Sequence, residues 1–246
     1  MGTYDTDAMV LRAIRYSEAD NVLTLYTRDR GRIAAIAKGA RKPKSRLGGR
    51  LQPGAVARVT IAEGRRGLGA VRGATVIDTH AGLWVQANRL RAAGCVLEAA
   101  FRTLPDDDPN EPAYNLLLNA VTLIARSDPF EDGHPRLDPL VLGAHMKLLV
   151  VAGLLPALGA CVGCGAGPPF PGFSAERGGV LCGDCADGTV PLSQAGHSAV
   201  ASLLGRPLAD AREACPAGSA QEVERIIGLV LREHLGVSLR SAAAPE

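Results

Sequence analysis

The spacing of apolar and polar positions changes once along this chain, near residue 80. Before that point short alternating runs are separated by turn residues. Residues 8–15 predict a first strand with partial alternation, Ser17-Glu-Ala-Asp20 a turn, and residues 21–27 a second strand. Arg28-Asp-Arg-Gly31 is a compact hairpin signal in which Gly31 can take positive φ. Residues 32–37 predict the third strand. Residues 55–62 predict the fourth, with Val56, Arg58 and Thr60 alternating against Ala57, Val59 and Ile61. The turn Gly64-Arg-Arg-Gly67 then leads into a fifth strand ending near Asp78. Five short strands without a long helix predict a small closed sheet, because closure removes edges that could pair with other chains. An OB-type barrel is the natural candidate, and an SH3-like barrel fits the same pattern.

From Trp84 the period is helical. Leu90, Ala93, Leu97, Phe101 and Leu104 share one face and predict a helix over 84–104. Pro105-Asp-Asp-Asp-Pro-Asn-Glu stops it, and the three aspartates there read as a solvated loop beside the next helix N-terminus. Pro112 suits the first turn of a second helix, which buries Tyr114, Leu117, Leu118, Val121 and Ile124. After a Pro-, Gly- and Asp-rich stretch over 127–137, Asp138-Pro139 caps and starts a third helix reaching about Val151. Ser193 caps another through Leu204. Ser219-x-x-Glu222 has the form of a capping box for a final helix, whose Val223, Ile226, Ile227, Val230 and Leu231 lie on one face and which Gly236 ends. The expected architecture is therefore multidomain β + α: a five-stranded OB-type barrel over 1–80, then an α-helical domain over 81–246.

Composition refines this. At 246 residues the chain is long enough for two or three compact units, and its 47% hydrophobic content supplies their cores. The net charge of +2 hides an asymmetry: residues 1–80 hold fifteen Lys/Arg against seven Asp/Glu, the remainder twelve against eighteen. The basic excess peaks in residues 38–50, where Lys38, Arg41, Lys42, Lys44, Arg46 and Arg50 stand among thirteen residues with no anion. Such a run is either a solvated loop or a phosphate-binding one, since every neutralised phosphate releases counterions. Only Tyr4, Tyr16 and Tyr26 are aromatic in residues 1–80, which favours gripping the backbone over stacking along bases. Met1-Gly-Thr-Tyr-Asp lacks the basic start and apolar run of a signal peptide, and the apolar run near 148–158 is broken by Gly153 and Pro156. A cytoplasmic protein is expected.

Cysteine spacing carries the most specific chemistry. Cys161-Val-Gly-Cys164 and Cys182-Gly-Asp-Cys185 are seventeen residues apart, a C-x2-C-x17-C-x2-C pattern. Two intervening residues let both thiolates of a pair reach one ion from a tight turn, with Gly163, Gly165 and Gly183 easing the bend. Four cysteine ligands imply one structural Zn2+ with no open position for catalysis, in an element over 159–188 inserted in the helical domain. Its Pro- and Gly-rich connecting segment has little core of its own, so metal binding is expected to supply folding free energy. Cys95, Cys215 and His145 lack ligand spacing and are assigned no role. Phosphate-loop, zinc-protease, nucleophile-elbow and kinase motifs are absent, and no catalytic residue is assigned.

Several ordered motifs resemble the RecO family of DNA-repair proteins: Ser17-Glu-Ala-Asp20, Thr27-Arg-x-x-Gly31, the run 37–46, Gly49-Arg-Leu-Gln-Pro53, Gly153-Leu-Leu-Pro156, Gly178-Gly-Val-x-Cys182 and His234-Leu-Gly-x-x-Leu-Arg-Ser241. The resemblance implies an OB domain, a helical domain with a zinc-binding element, and a non-enzymatic recombination mediator. Such a protein binds single- and double-stranded DNA, anneals complementary strands and helps load RecA onto strands coated by single-strand-binding protein. RecR and the C-terminal tail of single-strand-binding protein are the implied partners, with RecF a further one. The DNA-contacting role transfers to Lys38, Arg41, Lys42, Lys44, Arg46 and Arg50, and the zinc role to the four cysteines. Two other classes fit the residues alone: an RNA-modifying or ribosome-associated enzyme with a zinc ribbon, and a protein-interaction adaptor.

Overall fold

The computed structural model describes residues 2–43, 45, 47–64, 67–128 and 134–240. Five strands, β1 (Thr3–Arg15), β2 (Asn21–Thr27), β3 (Gly31–Ala37), β4 (Val56–Ala62) and β5 (Leu68–Asp78), close into a barrel in the order β1-β2-β3-β5-β4. Neighbours run antiparallel except β3 and β5, whose parallel seam is short: Ala34, Ala35 and Ile36 face Leu68, Gly69 and Ala70. That parallel closure is the OB arrangement and disposes of the SH3-like alternative. Ala8, Val10, Leu23, Leu25, Ala35, Val59, Ile61 and Val71 fill the interior.

β1 begins five residues before its expected start. Its early part pairs with β4 from Thr3 opposite Ala62 to Met9 opposite Val56. On the outer face Asp5 accepts from Thr60 Oγ1 at 2.5 Å, and Asp7 accepts from the Arg58 guanidinium at 2.8 and 3.1 Å. Paired polar side chains make this segment a strand, and apolar alternation cannot register them.

A short 3-10 turn (Ala81–Trp84) leads from the barrel into α1 (Ala87–Thr103) and α2 (Glu111–Arg126). Asn110 caps α2 by accepting from Ala113 N at 2.9 Å, with Pro112 in the first turn as its fixed φ suits. His80, at φ 46, is buried where barrel and helices meet. Its Nδ1–H donates to Gly54 O at 2.8 Å, and its Nε2 is hydrogen-bonded to Thr122 Oγ1 at 3.0 Å. The aspartate run is more than a solvated loop. Asp106 pairs with Arg32 of β3 at 2.5 Å, Asp107 N donates to Arg32 O at 3.0 Å, and Asp108 lies so close that a Cβ on Gly31 (φ 68) would stand 2.2 Å from its carbonyl oxygen. The barrel and these two helices form one compact unit, Met1–Pro129.

The second unit, Phe130–Glu246, is built around α3 (Pro139–Val151). Asp138 caps it by accepting from Leu140 N at 2.8 Å. Nearly every α3 residue from Pro139 to Leu149 is buried, because α4 (Gln194–Gly205), the single turn α5 (Ala211–Ala214) and α6 (Ala220–Leu235) pack around it. Gly236 ends α6 at φ 64. The expected capping box does not form: Ser219 makes no side-chain cap bond. Glu222 instead reaches the start of α4, where its Oε2 accepts from Ser193 N at 3.1 Å and Ser193 Oγ at 2.8 Å. Ser193 Oγ in turn accepts from Gly196 N at 2.9 Å. The carboxylate is placed where the N-terminal dipole of α4 favours it. Between α3 and α4 the chain forms a three-stranded sheet, β7-β6-β8, from β6 (Gly172–Ser174), β7 (Gly179–Leu181) and β8 (Val190–Pro191). Among the described residues no helix is long and apolar enough to cross a membrane.

Candidate nucleic-acid interface and metal centre

Residues 38–55 connect β3 to β4 and are ordered throughout the described part by three kinds of contact. Ala40 and Leu51 are buried in the barrel core, and Leu47 packs against it. The β1–β2 turn braces the loop from outside: Asp20 Oδ1 accepts from Gly39 N at 2.8 Å, and Ala19 O accepts from Arg41 N at 2.9 Å. Ser17 Oγ holds that turn by accepting from Asp20 N at 3.1 Å. Within the loop, Gln52 Nε2 donates to Gly48 O at 2.6 Å, and a Cβ on Gly48 would lie 1.8 Å from Ala40 O. The family-like motif 17–20 thus serves as the support of the basic loop.

This scaffold holds the cations out. Lys38, Arg41, Lys42 and Arg50 are all exposed. Lys38, Lys42 and Arg50 form no side-chain ion pair among the described residues, whereas Arg41 Nη1 donates to Ser17 O and Glu18 O at 2.9 and 3.0 Å. Arg41 is therefore partly a structural clamp. Lys44 and Arg46 lie outside the described residues. Three other basic side chains of the barrel are committed: Arg58 to Asp7, Arg32 to Asp106 and the Phe101 carbonyl, and Arg30 over the Tyr4 ring at 3.8 Å. Of the three early tyrosines, Tyr26 is fully buried and only Tyr16, 65% exposed, stands clear of the fold.

Beside the loop the structure opens a concavity of about 600 Å3 that sequence reasoning did not identify, lined by Arg15, Asn21, Arg41, Gln52 and Trp84 among others. The available signal was the position of the single tryptophan directly after the last strand, at the change of period.

The four spaced cysteines are brought together. Their sulfurs all lie within 4.8 Å of one another, and Cys164 Sγ stands 3.6 Å from Cys182 Sγ. A tetrahedral tetrathiolate with bonds of about 2.3 Å has sulfurs about 3.8 Å apart, so the cluster has the dimensions to hold one metal ion. Cys161 and Cys182 are buried, Cys185 half-buried and Cys164 exposed. Two glycines act as expected: Gly165 takes φ 78, and a Cβ on Gly163 would stand 3.0 Å from Cys185 Sγ. Gly183 has neither positive φ nor a close neighbour, so the second turn does not need it.

Backbone N–H groups favour thiolate at one corner. Those of Cys182, Gly163 and Cys164 point at Cys161 Sγ and hold its thiol down at about 6. Cys185 is pushed up to about 12, because its thiol shares a proton first with Cys164 and then with Cys182 and Cys161. For Cys164 the N–H of Ala166 pulls downward, but sharing with Cys182 and Cys161 outweighs it. Thiols this close cannot all ionise alone, and a divalent cation relieves that repulsion. Arg177 supports the shell from outside, its Nη1 donating to Cys185 O at 3.0 Å. Phe173, Val180 and Leu181 are fully buried, so the element has more apolar anchoring than its composition promised.

Comparison with known proteins follows this geometry. Residues 1–80 match the model described as Recombination protein O N terminal, and residues 86–243 the one described as Recombination protein O C terminal. Curated relatives named DNA repair protein RecO include that of Anaeromyxobacter sp. (strain Fw109-5), 34% identical over 93% of this chain and 90% of its own. That of Desulforudis audaxviator is 36% identical over 85% and 80%. That of Rubrobacter xylanophilus is 31% identical over 99% and 95%. The likeness spans both units, and the chain belongs to the RecO family of DNA repair proteins.

Proposed function

We propose that this chain is a non-enzymatic mediator of DNA repair and homologous recombination. In this reading it binds single- and double-stranded DNA, anneals complementary strands and helps load RecA onto strands covered by single-strand-binding protein. The observation that carries the reading is the ordered loop between β3 and β4, which holds Lys38, Lys42 and Arg50 outward, without ion pairs among the described residues, on a barrel of OB type. Loops of OB barrels commonly bind oligonucleotides. Arg41, Lys44 and Arg46 complete the proposed contact set. Cations gripping phosphates leave Watson–Crick edges free to find a complement, which suits annealing better than protection of a single strand.

In this reading the cationic DNA contacts belong to the barrel of residues 1–80, and the metal belongs to the element over 159–188 within the second unit. The four thiolates of Cys161, Cys164, Cys182 and Cys185 hold one structural zinc, supported by the all-sulfur donor set and its spacing. The ion supplies a cross-link between two turns of the element over 159–188. The backbone N–H groups around Cys161 orient the sulfurs. Assembly partners in this reading are RecR, the acidic tail of single-strand-binding protein and RecF, in the cytoplasm.

The test is strand annealing. Two complementary oligonucleotides, one end-labelled, are mixed with the protein, bare or coated with the cognate single-strand-binding protein. Annealing well above the spontaneous rate on both substrates is expected. No acceleration on either would refute the reading, and chemical change in either strand would replace it with an enzymatic one.

A further inference from the structure

Trp84 ends the short turn that follows β5 and is 51% exposed, an unusual place for the largest apolar side chain in the protein. It lines the 600 Å3 concavity together with Arg15, Asn21, Arg41 and Gln52, and no carboxylate lines it among the described residues. Each polar neighbour has unspent capacity. Arg15 is exposed and forms no ion pair among the described residues. Asn21 sits opposite Arg15 in the β1–β2 ladder, and its side-chain amide makes no hydrogen bond among the described residues. Gln52 uses its amide nitrogen on Gly48 O at 2.6 Å, which fixes the side chain at the groove and commits only one of its polar atoms. Arg41 is already oriented by Ser17 O and Glu18 O.

A planar indole, two amides presenting donors and acceptors, and two cations are the recognition elements for a planar heteroaromatic ring attached to an anionic backbone. We infer that the groove seats one unpaired nucleobase of single-stranded DNA. The base stacks on the indole of Trp84, its edge faces Asn21 and Gln52, and the flanking phosphates meet Arg15 and Arg41. This rests on the DNA-binding reading above and deepens it. A base held against a side-chain ring must leave the duplex stack, so the groove selects single strands where the cationic loop does not. Arg41 belongs to both features, so the strand passes from the Trp84 groove onto Lys38, Lys42 and Arg50. An acidic peptide with an aromatic residue could also meet an indole and arginines. It would leave the rest of the cationic track unused, and a strand of several phosphates would not. A single platform holds one base and leaves its neighbours free to pair, in keeping with annealing.

The chain contains one tryptophan, so its emission reports on this position alone. Full-length protein is titrated with an oligo-dT and with an abasic strand of equal length, and binding of labelled strands is followed separately by anisotropy. Oligo-dT is expected to quench the emission, and the abasic strand to bind in a salt-sensitive way without quenching it. Trp84→Ala is expected to weaken oligo-dT binding roughly 5- to 150-fold, leaving abasic affinity and far-UV circular dichroism unchanged, while Trp84→Phe restores most of the loss. Oligo-dT binding with unchanged emission would overturn the inference and leave the DNA-binding reading standing. Equal weakening toward both strands in Trp84→Ala would also overturn it, as a structural role. Failure to bind either strand would remove both. Quenching by an acidic aromatic peptide and not by DNA would reassign the groove to a protein partner.

Discussion

Replacing Lys38, Lys42 and Arg50 together with alanine isolates the phosphate grip from the fold. All three are exposed and without ion pairs among the described residues, so their removal should change stability by no more than about 0.5 kcal/mol each. Arg41 is deliberately spared, since its guanidinium holds the Ser17 and Glu18 carbonyls and its loss would loosen the loop itself. Each phosphate neutralised on a single strand contributes about −0.7 to the slope of log K against log[salt]. With all six cations of the loop engaged, the slope is about −4, and raising salt from 50 to 200 mM lowers affinity about 300-fold. Three remaining contacts give a slope of about −2 and a loss of about 20-fold over the same interval. The assay is fluorescence anisotropy of a labelled oligo-dT at four salt concentrations, wild type beside the triple variant, with thermal unfolding as the control. A slope change smaller than about 0.5, with both proteins folded, refutes the loop as the phosphate-binding element. So does an affinity loss that is equal at every salt concentration, since that is not counterion release.

The metal centre gives two outcomes. Cys161→Ser is expected to lower the bound zinc measured by atomic absorption from one per chain, and to destabilise the second unit by several kcal/mol in thermal unfolding; a fully stable variant refutes the assignment. Because sharing of protons pushes Cys164 and Cys185 upward, loading the metal-free protein near pH 7.5 should release at least about two protons per ion. Affinity should then rise with pH and fall as acid returns protons to sulfur, which calorimetry in two buffers of different ionisation enthalpy would detect. Tyr26→Phe should be neutral or stabilising by up to about 1 kcal/mol in urea unfolding, since the buried hydroxyl has no hydrogen-bond partner among the described residues. Burial first, and the nearby Asp108 second, push that phenol up to about 12, so the folded state keeps its proton after the unfolded chain loses it near 10. Wild-type stability should therefore fall as pH rises through that window, and the phenylalanine variant should lack this fall. Glu222→Ala should cost about 1 kcal/mol by removing the carboxylate that accepts from Ser193 N and Oγ beside the α4 N-terminus, although residue 222 belongs to α6.

The barrel was legible because its inner face is regularly apolar: β2 matches its expected limits, and β3 and β4 differ from theirs by one residue. The front half of β1 was not, since Asp5 and Asp7 find partners on β4 and hydropathy does not record pairing. The clustering of the four cysteines and the caps at Asp138 and Ser193 could be read from spacing alone, as both are local geometry. Ser219 and Glu222 show where local pattern fails. Their spacing suits a capping box, but α4 brings a competing N-terminus within reach, and the carboxylate goes there. The basic loop was visible as charge. Its division into free cations and a clamp at Arg41 depends on carbonyls twenty-odd positions earlier in the chain, and so does the groove that Arg41 shares with Trp84.

Because β5 lies between β3 and β4, the connection that carries the cations leaves β3 beside the parallel seam and crosses the barrel end to reach β4. That seam is the shortest in the sheet, three residues a side, and it adjoins the point where the loop leaves β3. Loosening of residues 38–55 therefore reaches first the part of the sheet with the fewest rungs. Under the proposed function, a DNA strand bound to the loop would stiffen the barrel beside its shortest join.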